Sequence, residues 1–124
     1  MLRVRDLERA LAFYVGQLGM RVLRRRDFPE GRFTLAFVGY DDEDRSTALE
    51  LTYNWGDVAY EPGTAFGHLA IGVRDVFEAS AALARAGVTV ARSPGPLPGD
   101  PGEVIAFVLD PDGYRIELIQ RQSG

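Results

Sequence analysis

The chain of 124 residues has no cysteine and no lysine, and it has a single histidine, His68. Without cysteine there is no disulfide framework, no thiolate nucleophile and no thiolate-bound zinc. Without lysine there is no Schiff-base chemistry and no P-loop. Any polar chemistry must therefore come from carboxylates, hydroxyls, arginines and this one imidazole.

Charge and hydropathy argue against two classes of partner. The chain has 14 arginines and 18 acidic residues, so its net charge is −4. Nucleic acids and anionic membranes favour a basic surface. No apolar run approaches the ~18 residues of a membrane helix. No signal-peptide core begins the sequence. We therefore expect no nucleic-acid partner, no membrane association and a cytoplasmic location.

The sequence contains an internal repeat. Four matches keep their order along the chain at offsets of 67 to 70 residues. They are Val4-Arg5-Asp6-Leu7 with Val73-Arg74-Asp75-Val76, Gly19 with Gly87, Ala36-Phe37-Val38 with Ala106-Phe107-Val108, and Leu49-Glu50-Leu51 with Ile116-Glu117-Leu118. We predict a single domain over residues 1–124, made of two repeats at about 1–56 and 67–122.

Each repeat predicts the same order of elements. A short strand leads into an aspartate, Asp6 or Asp75, that is expected to cap a helix. Gly19 and Gly87 suit the left-handed position after that helix, and three strands follow. In the first helix the predicted apolar face consists of Leu7, Leu11, Tyr14 and Leu18. The fold class is therefore α+β, with two βαβββ modules whose sheets form a curved, barrel-like surface within one chain or between chains.

Strand alternation places three metal-ligand residue types on the sheet face away from the helices. Glu50 and Glu117 are equivalent by the repeat, and His68 lies on the same face of its strand beside small residues. Two carboxylates and an imidazole form a candidate divalent-metal site. If the repeat applied to the whole site, a fourth ligand would lie at position −1, before Met1. The same repeat offset predicts that the Arg3 side chain lies on the concave face of the sheet, near the metal.

Four segments carry a resemblance to a known family: Leu35–Tyr40, Glu50–Gly56, Gly63–His68 and Asp110–Leu118. Asp-Pro-Asp-Gly with a following glutamate is widespread in the vicinal-oxygen-chelate superfamily. Glu-Leu-Thr-Tyr-Asn-Trp-Gly at residues 50–56 is more particular. On these motifs the chain resembles glyoxalase I, the lactoylglutathione lyases, over nearly its whole length.

The resemblance implies isomerisation of the methylglyoxal–glutathione hemithioacetal to S-lactoylglutathione, by proton transfer through an enediolate. It implies three metal ligands, Glu50, His68 and Glu117. It also implies Glu117 as the catalytic acid–base, with Glu50 as its symmetry-related partner, and Arg3 and Asn54 as residues that hold glutathione. The implied metal is nickel, with cobalt next and zinc last, and the implied assembly is a homodimer with sites between subunits.

Other interpretations stay open on the sequence. A metal-free binding protein of the antibiotic-sequestering type would use Trp55, Tyr53 and Phe66 as stacking walls. The vacant position before Met1 is compatible with a sequence that starts late, with a three-ligand site completed by water, or with a lyase inactivated by loss of that ligand. A ring-cleaving dioxygenase is disfavoured because its iron site needs a second histidine.

Overall fold

The computed structural model describes residues 1–121, which divide into two units after Glu61. The first unit contains β1 Leu2–Arg3, α1 Leu7–Leu11 with a π-helical continuation Ala12–Gln17, β2 Arg21–Phe28, β3 Phe33–Gly39 and β4 Leu49–Asn54. The second contains β5 Leu69–Val73, α2 Val76–Arg85, β6 Val90–Leu97, β7 Asp100–Leu109 and β8 Arg115–Gln120. The predicted βαβββ order is confirmed in both units. Across residues 1–121, no helix has the length and apolar character needed to cross a membrane.

Both units form a four-stranded mixed sheet with the same connectivity. The strand order is β1-β4-β3-β2 in the first sheet and β5-β8-β7-β6 in the second. In each sheet the first strand of the unit pairs parallel with the last, and the other pairs are antiparallel. Parallel neighbours need a long crossover connection, and the helix is part of it in each unit. The sequence repeat is therefore also a repeat of topology.

The register of the two sheets gives the two predicted glutamates the same position. Phe37 of β3 lies opposite Glu50 of β4, and Phe107 of β7 lies opposite Glu117 of β8. On its other side, Glu117 pairs with Ala70 of the parallel strand β5. Because the ladders match residue for residue here, each glutamate has an aromatic cross-strand neighbour.

Alternate strand residues form the core of each unit. In the second sheet the fully buried positions are Ala106, Val108, Ile116 and Leu118. In the first sheet they are Ala36, Val38 and Leu51. Most of the intervening residues, including both glutamates, remain partly exposed on the opposite face, where Thr52 and Ile105 are buried. We call that opposite side the helix-free face, because the helices contact the buried side.

Aspartates begin both helices, as predicted. The Asp6 carboxylate accepts a hydrogen bond from the Arg9 backbone N–H at 3.1 Å, and that of Asp75 accepts one from the Glu78 N–H at 3.0 Å. Caps of this kind typically contribute about 1 kcal/mol each. The glycines predicted to be left-handed after the helices have φ angles of +80° and +92°. Local signals therefore define where these helices begin and end.

The first helix departs from the predicted amphipathic pattern. After Leu11 the chain winds as a π-helix, and the Leu18 N–H bonds the carbonyl of Phe13 at 2.9 Å, five residues back. The wider turn directs Phe13 and Tyr14 into the core, whereas Leu11 and Leu18 are only half-buried. Of the predicted apolar face, Leu7 and Tyr14 are therefore fully part of the core, Leu11 and Leu18 contribute partly, and Phe13 is an unpredicted addition.

The turn between β7 and β8 depends on Asp110, which is 5% exposed. Its Oδ1 accepts hydrogen bonds from the backbone N–H groups of Asp112 and Tyr114, at 2.9 and 2.8 Å. Asp110→Ala removes this acceptor, and we expect it to lower the free energy of unfolding by about 2–3 kcal/mol. Urea unfolding measures the loss. The exposed Asp44→Ala is the matched control, and an equal loss in both variants would contradict the assignment.

Candidate functional site

His68 and Glu117 lie side by side on the helix-free face of the second sheet. His68 directly precedes β5, whose parallel register sets Ala70 beside Glu117. The imidazole Nε2 is 3.1 Å from Oε1 of the carboxylate. The Glu117 side chain is 15% exposed and that of His68 is 41% exposed. The carboxylate is therefore largely shielded, while the imidazole can be reached from solvent.

Phe107 supports this pair from the neighbouring strand. Its ring meets the His68 ring edge to face, with centroids 5.2 Å apart, and it is the cross-strand neighbour of Glu117. The Arg115 guanidinium carbon lies 4.5 Å from the centroid of the same ring. The face of an aromatic ring attracts a cation at this distance. An imidazole, a carboxylate, an aromatic ring and a guanidinium thus share one face of the sheet.

Arg121 lies at the other end of β8. Its two terminal nitrogens donate to the carboxylate oxygens of Glu103 at 2.9 and 3.1 Å. These hydrogen bonds lower the pKa of Glu103, and together with the nearby charge of Glu117 they raise the pKa of Arg121. The Arg121 side chain also lies against Gly72, where a Cβ atom would come within 3.3 Å of its Cγ. Glycine at that position leaves room for the arginine.

Glu50 occupies the equivalent place in the first sheet. Its neighbour Phe37 has the Arg24 guanidinium carbon 3.6 Å from its ring centroid. Arg24 donates from Nε and Nη2 to the Glu43 carboxylate at 2.8 and 3.2 Å, which raises the pKa of Arg24 and lowers that of Glu43. An open pocket of about 600 Å³ is lined by Met1, Phe37, Glu43, Arg45, Ser46, Thr47, Ala48 and Glu50. Its volume is in the range of small-molecule sites.

The two residues predicted to hold glutathione lie in the same sheet as Glu50. Asn54 and Glu50 share one face of β4, because alternate residues point to the same side. The Asn54 amide donates to the Tyr60 hydroxyl at 2.9 Å. Arg3 is the register partner of Thr52 on the parallel strand β1. The first unit therefore groups Arg3, Glu50 and Asn54 in one sheet.

The predicted site residues fall into two groups. His68 and Glu117 come together in the second unit, whereas Glu50, Arg3 and Asn54 belong to the first. Over residues 1–121, no three histidine, aspartate or glutamate side chains are grouped closely enough to hold a metal ion. The metal site with Glu50, His68 and Glu117 as joint ligands, and the roles of Arg3 and Asn54, therefore stay predictions.

Thr52 is a candidate site residue that the sequence analysis missed. It is 8% exposed, and its hydroxyl has no hydrogen-bond partner within the part of the chain that the structure describes. It lies between Glu50 and Asn54 on β4 and shares their face. Buried hydroxyls are normally paired, so an orphan at this position is available to a bound molecule. The strand alternation that placed Glu50 on this face of β4 places Thr52 there as well.

The chain belongs to the glyoxalase superfamily, because the family model described as "Glyoxalase/Bleomycin resistance protein/Dioxygenase superfamily" matches residues 1–118. It is 56% identical to the lactoylglutathione lyase of Neisseria meningitidis over 124 residues, which is 100% of this chain and 89% of that protein. The predicted family resemblance is confirmed. The predicted lactoylglutathione lyase function is supported by relatives of that name that match the whole chain.

Two solved structures are similar to the fold. Glyoxalase I from Zea mays has a TM-score of 0.91 and 46% identity, and the match covers 96% of this chain and 42% of the maize chain. The trypanothione-dependent glyoxalase I of Leishmania major has a TM-score of 0.86 and 48% identity, with coverage of 97% and 82%. This chain thus spans less than half the length of the maize protein. The predicted fold class is confirmed.

Thr34 has a paired hydroxyl and is therefore a matched comparison for the unpaired hydroxyl of Thr52. The Thr34 hydroxyl donates to Asp27 at 2.7 Å and accepts from the Trp55 indole at 2.9 Å. Thr52→Val removes an unpaired group, so we expect unchanged or slightly raised stability. Thr34→Val breaks two bonds and should cost about 1–3 kcal/mol. Chemical denaturation measures both variants, and a large loss in Thr52→Val would show that this hydroxyl is paired in the free protein.

Proposed function

We propose that this protein is a glyoxalase I, converting the hemithioacetal of methylglyoxal and glutathione to S-lactoylglutathione. The observation that carries the proposal is the His68–Glu117 pair, with Nε2 and Oε1 3.1 Å apart on an accessible sheet face. These are the positions to which the family resemblance assigns metal binding and proton transfer. The lactoylglutathione lyase of Neisseria meningitidis, 56% identical along the whole chain, supports the choice of reaction.

The donor set of the pair fits a divalent transition metal. An imidazole nitrogen and a carboxylate oxygen are ligands that such ions accept, and here they point from one face of one sheet. Glu50, at the repeat-equivalent position, is the proposed third ligand. When bound, the ion supplies Lewis acidity that polarises the substrate oxygens. Resemblance to the bacterial nickel- and cobalt-activated enzymes favours nickel, then cobalt, over zinc.

Glu117 is the proposed proton carrier. The reaction moves one proton between two adjacent substrate carbons and the hydroxyl proton between the two oxygens they carry. A positioned carboxylate performs the carbon-to-carbon transfer as base and then as acid. Glu117 takes the proton as the first C–H bond breaks and returns it to the neighbouring carbon, so the carboxylate is regenerated. Its side chain is only 15% exposed, which limits exchange of that proton with water. Glu50 is the corresponding group for the opposite face of the substrate.

The first unit supplies the groups proposed to hold glutathione. Arg3 presents a forked set of donors suited to a carboxylate. Asn54 is oriented by its bond to Tyr60, so less side-chain freedom is lost when a ligand binds. The unpaired Thr52 hydroxyl lies between Asn54 and Glu50 and offers one further hydrogen bond.

We further infer a homodimer with each complete site between subunits, in the cytoplasm. His68 and Glu117 provide two ligands, whereas a divalent metal takes about four to six. Two protein ligands leave further positions open, and we assign Glu50 of the second subunit to one of them. Symmetric dimers are the commonest oligomers, and they create two such sites at once.

Glu117→Gln tests the proton carrier. The amide keeps the shape of the side chain but cannot accept the proton, so we expect kcat to fall by about 10²–10⁴-fold. Formation of S-lactoylglutathione by protein stripped with a chelator and reloaded with nickel is the measurement. Glu78→Gln, on the exposed first turn of α2, is the control and should keep full activity. If the unaltered protein forms no S-lactoylglutathione with nickel, cobalt or zinc, the proposed function is wrong.

Mixing two inactive variants tests the position of the site. In a heterodimer of Glu50→Gln and Glu117→Gln subunits, one intersubunit site carries both changes and the other carries none. Random assembly of equal amounts should therefore restore about a quarter of the normal activity. The rate is measured after the two variants are refolded together, with each variant refolded alone as the control. Sites formed within one chain would give no recovery.

A further inference from the structure

Arg115 presents a cation beside the His68–Glu117 pair. It lies two residues before Glu117 on β8, so both side chains point to the same face about 7 Å apart along the strand. Its guanidinium is held 4.5 Å from the centroid of Phe107, the ring that also contacts His68. Within residues 1–121, no carboxylate or backbone oxygen pairs with the Arg115 side chain. Its charge is therefore available to a bound anion.

The other arginines near Glu117 are occupied. Arg121 donates to both oxygens of Glu103. Arg92, which pairs with Phe107 in the register of β6 and β7, donates to two backbone carbonyls at 3.3 and 2.9 Å. The hairpin of residues 94–102, where β6 turns into β7, has no arginine or lysine. Arg115 is thus the cation of this face that remains free for recognition in the described second unit.

The first sheet also stacks an arginine on the aromatic neighbour of its glutamate, although from a different strand. Arg24 of β2 stacks on Phe37, whereas Arg115 of β8 stacks on Phe107 from the strand of Glu117 itself. Glu43 binds Arg24 through two hydrogen bonds, so that guanidinium is already paired. In the second sheet a stacked guanidinium is present, and no carboxylate of residues 1–121 pairs with it. A ligand carboxylate would complete the second arrangement as Glu43 completes the first.

We propose that Arg115 is a substrate-binding residue that pairs with a carboxylate of the glutathione portion of the substrate. This inference rests on the proposed function. Glutathione has a carboxylate at each end, both ionised at neutral pH, with the reacting sulfur between them. The guanidinium can bind either one through two parallel N–H bonds. Stacking on Phe107 orients its plane in advance, which reduces the entropy lost on binding.

Calorimetry with S-hexylglutathione tests the inference without turnover. We expect Arg115→Met to weaken binding about tenfold or more, because a charge-assisted bond to a carboxylate is lost. Arg115→Lys should retain part of the affinity. Arg85→Met, at the exposed end of α2, is the matched control and should bind as the unaltered protein does. With the hemithioacetal, Arg115→Met should raise KM by a similar factor and leave kcat within about twofold.

Two analogues identify which carboxylate is bound. The glycyl ethyl ester of S-hexylglutathione lacks one carboxylate, and the analogue with 4-aminobutyryl in place of γ-glutamyl lacks the other. The analogue missing the contacted carboxylate should bind the unaltered protein about tenfold more weakly, with no further loss in Arg115→Met. The other analogue should remain sensitive to the substitution.

The possible failures are distinguishable. If Arg115→Met weakens all three ligands equally, or none, the inference is wrong and the proposed function stands. If the unaltered protein binds no glutathione derivative and forms no S-lactoylglutathione, the proposed function fails and the inference with it. Arg115→Gln, which keeps polar contacts and removes the charge, provides a second variant should Arg115→Met unfold.

Discussion

The parallel pairing of the first and last strands in each unit is the constraint on which the site depends. In the second unit it sets Ala70 beside Glu117, and His68 two residues earlier then reaches the carboxylate. A register slip of one residue would turn Glu117 to the helix side and expose Ile116 and Leu118, which are fully buried. Burial of these apolar side chains therefore fixes the polar geometry as well. The buried apolar side chains and the polar residues of the candidate site lie on opposite faces of the same strands.

The two units have the same strand arrangement but differ in which of their charged side chains are paired. Each places a glutamate opposite a phenylalanine that stacks with an arginine. In the first unit the arginine is neutralised by Glu43, so Glu50 has an already paired cation nearby. In the second unit the glutamate faces an imidazole, and no carboxylate of residues 1–121 pairs with the stacked arginine. The two repeats therefore present similar strand surfaces with different charge pairing.

Local sequence signals were sufficient for much of this structure and insufficient for the rest. Helix caps, left-handed glycines and strand alternation act over a few residues, and they correctly put Glu50, His68 and Glu117 on helix-free faces. The π-helix could not be predicted in this way, because it accompanies burial of both Phe13 and Tyr14 in the core, and that burial depends on packing with the rest of the unit. The stacked arginines and the orphan Thr52 hydroxyl depend on contacts between strands, which the sequence shows only once the register is known.

The proposed roles separate proton transfer from thiol recognition. The Leishmania major relative, 48% identical, is described as trypanothione-dependent. In this chain Glu117, the proposed proton carrier, is shielded against the sheet, whereas Arg115 lies exposed two residues away. Recognition of an anionic thiol then rests on strand residues, because the hairpin of residues 94–102 contributes no cation. Strand positions are held more rigidly than loop tips. Under the proposed role of Arg115, its substitution changes the preferred thiol without disturbing the His68–Glu117 pair beside it.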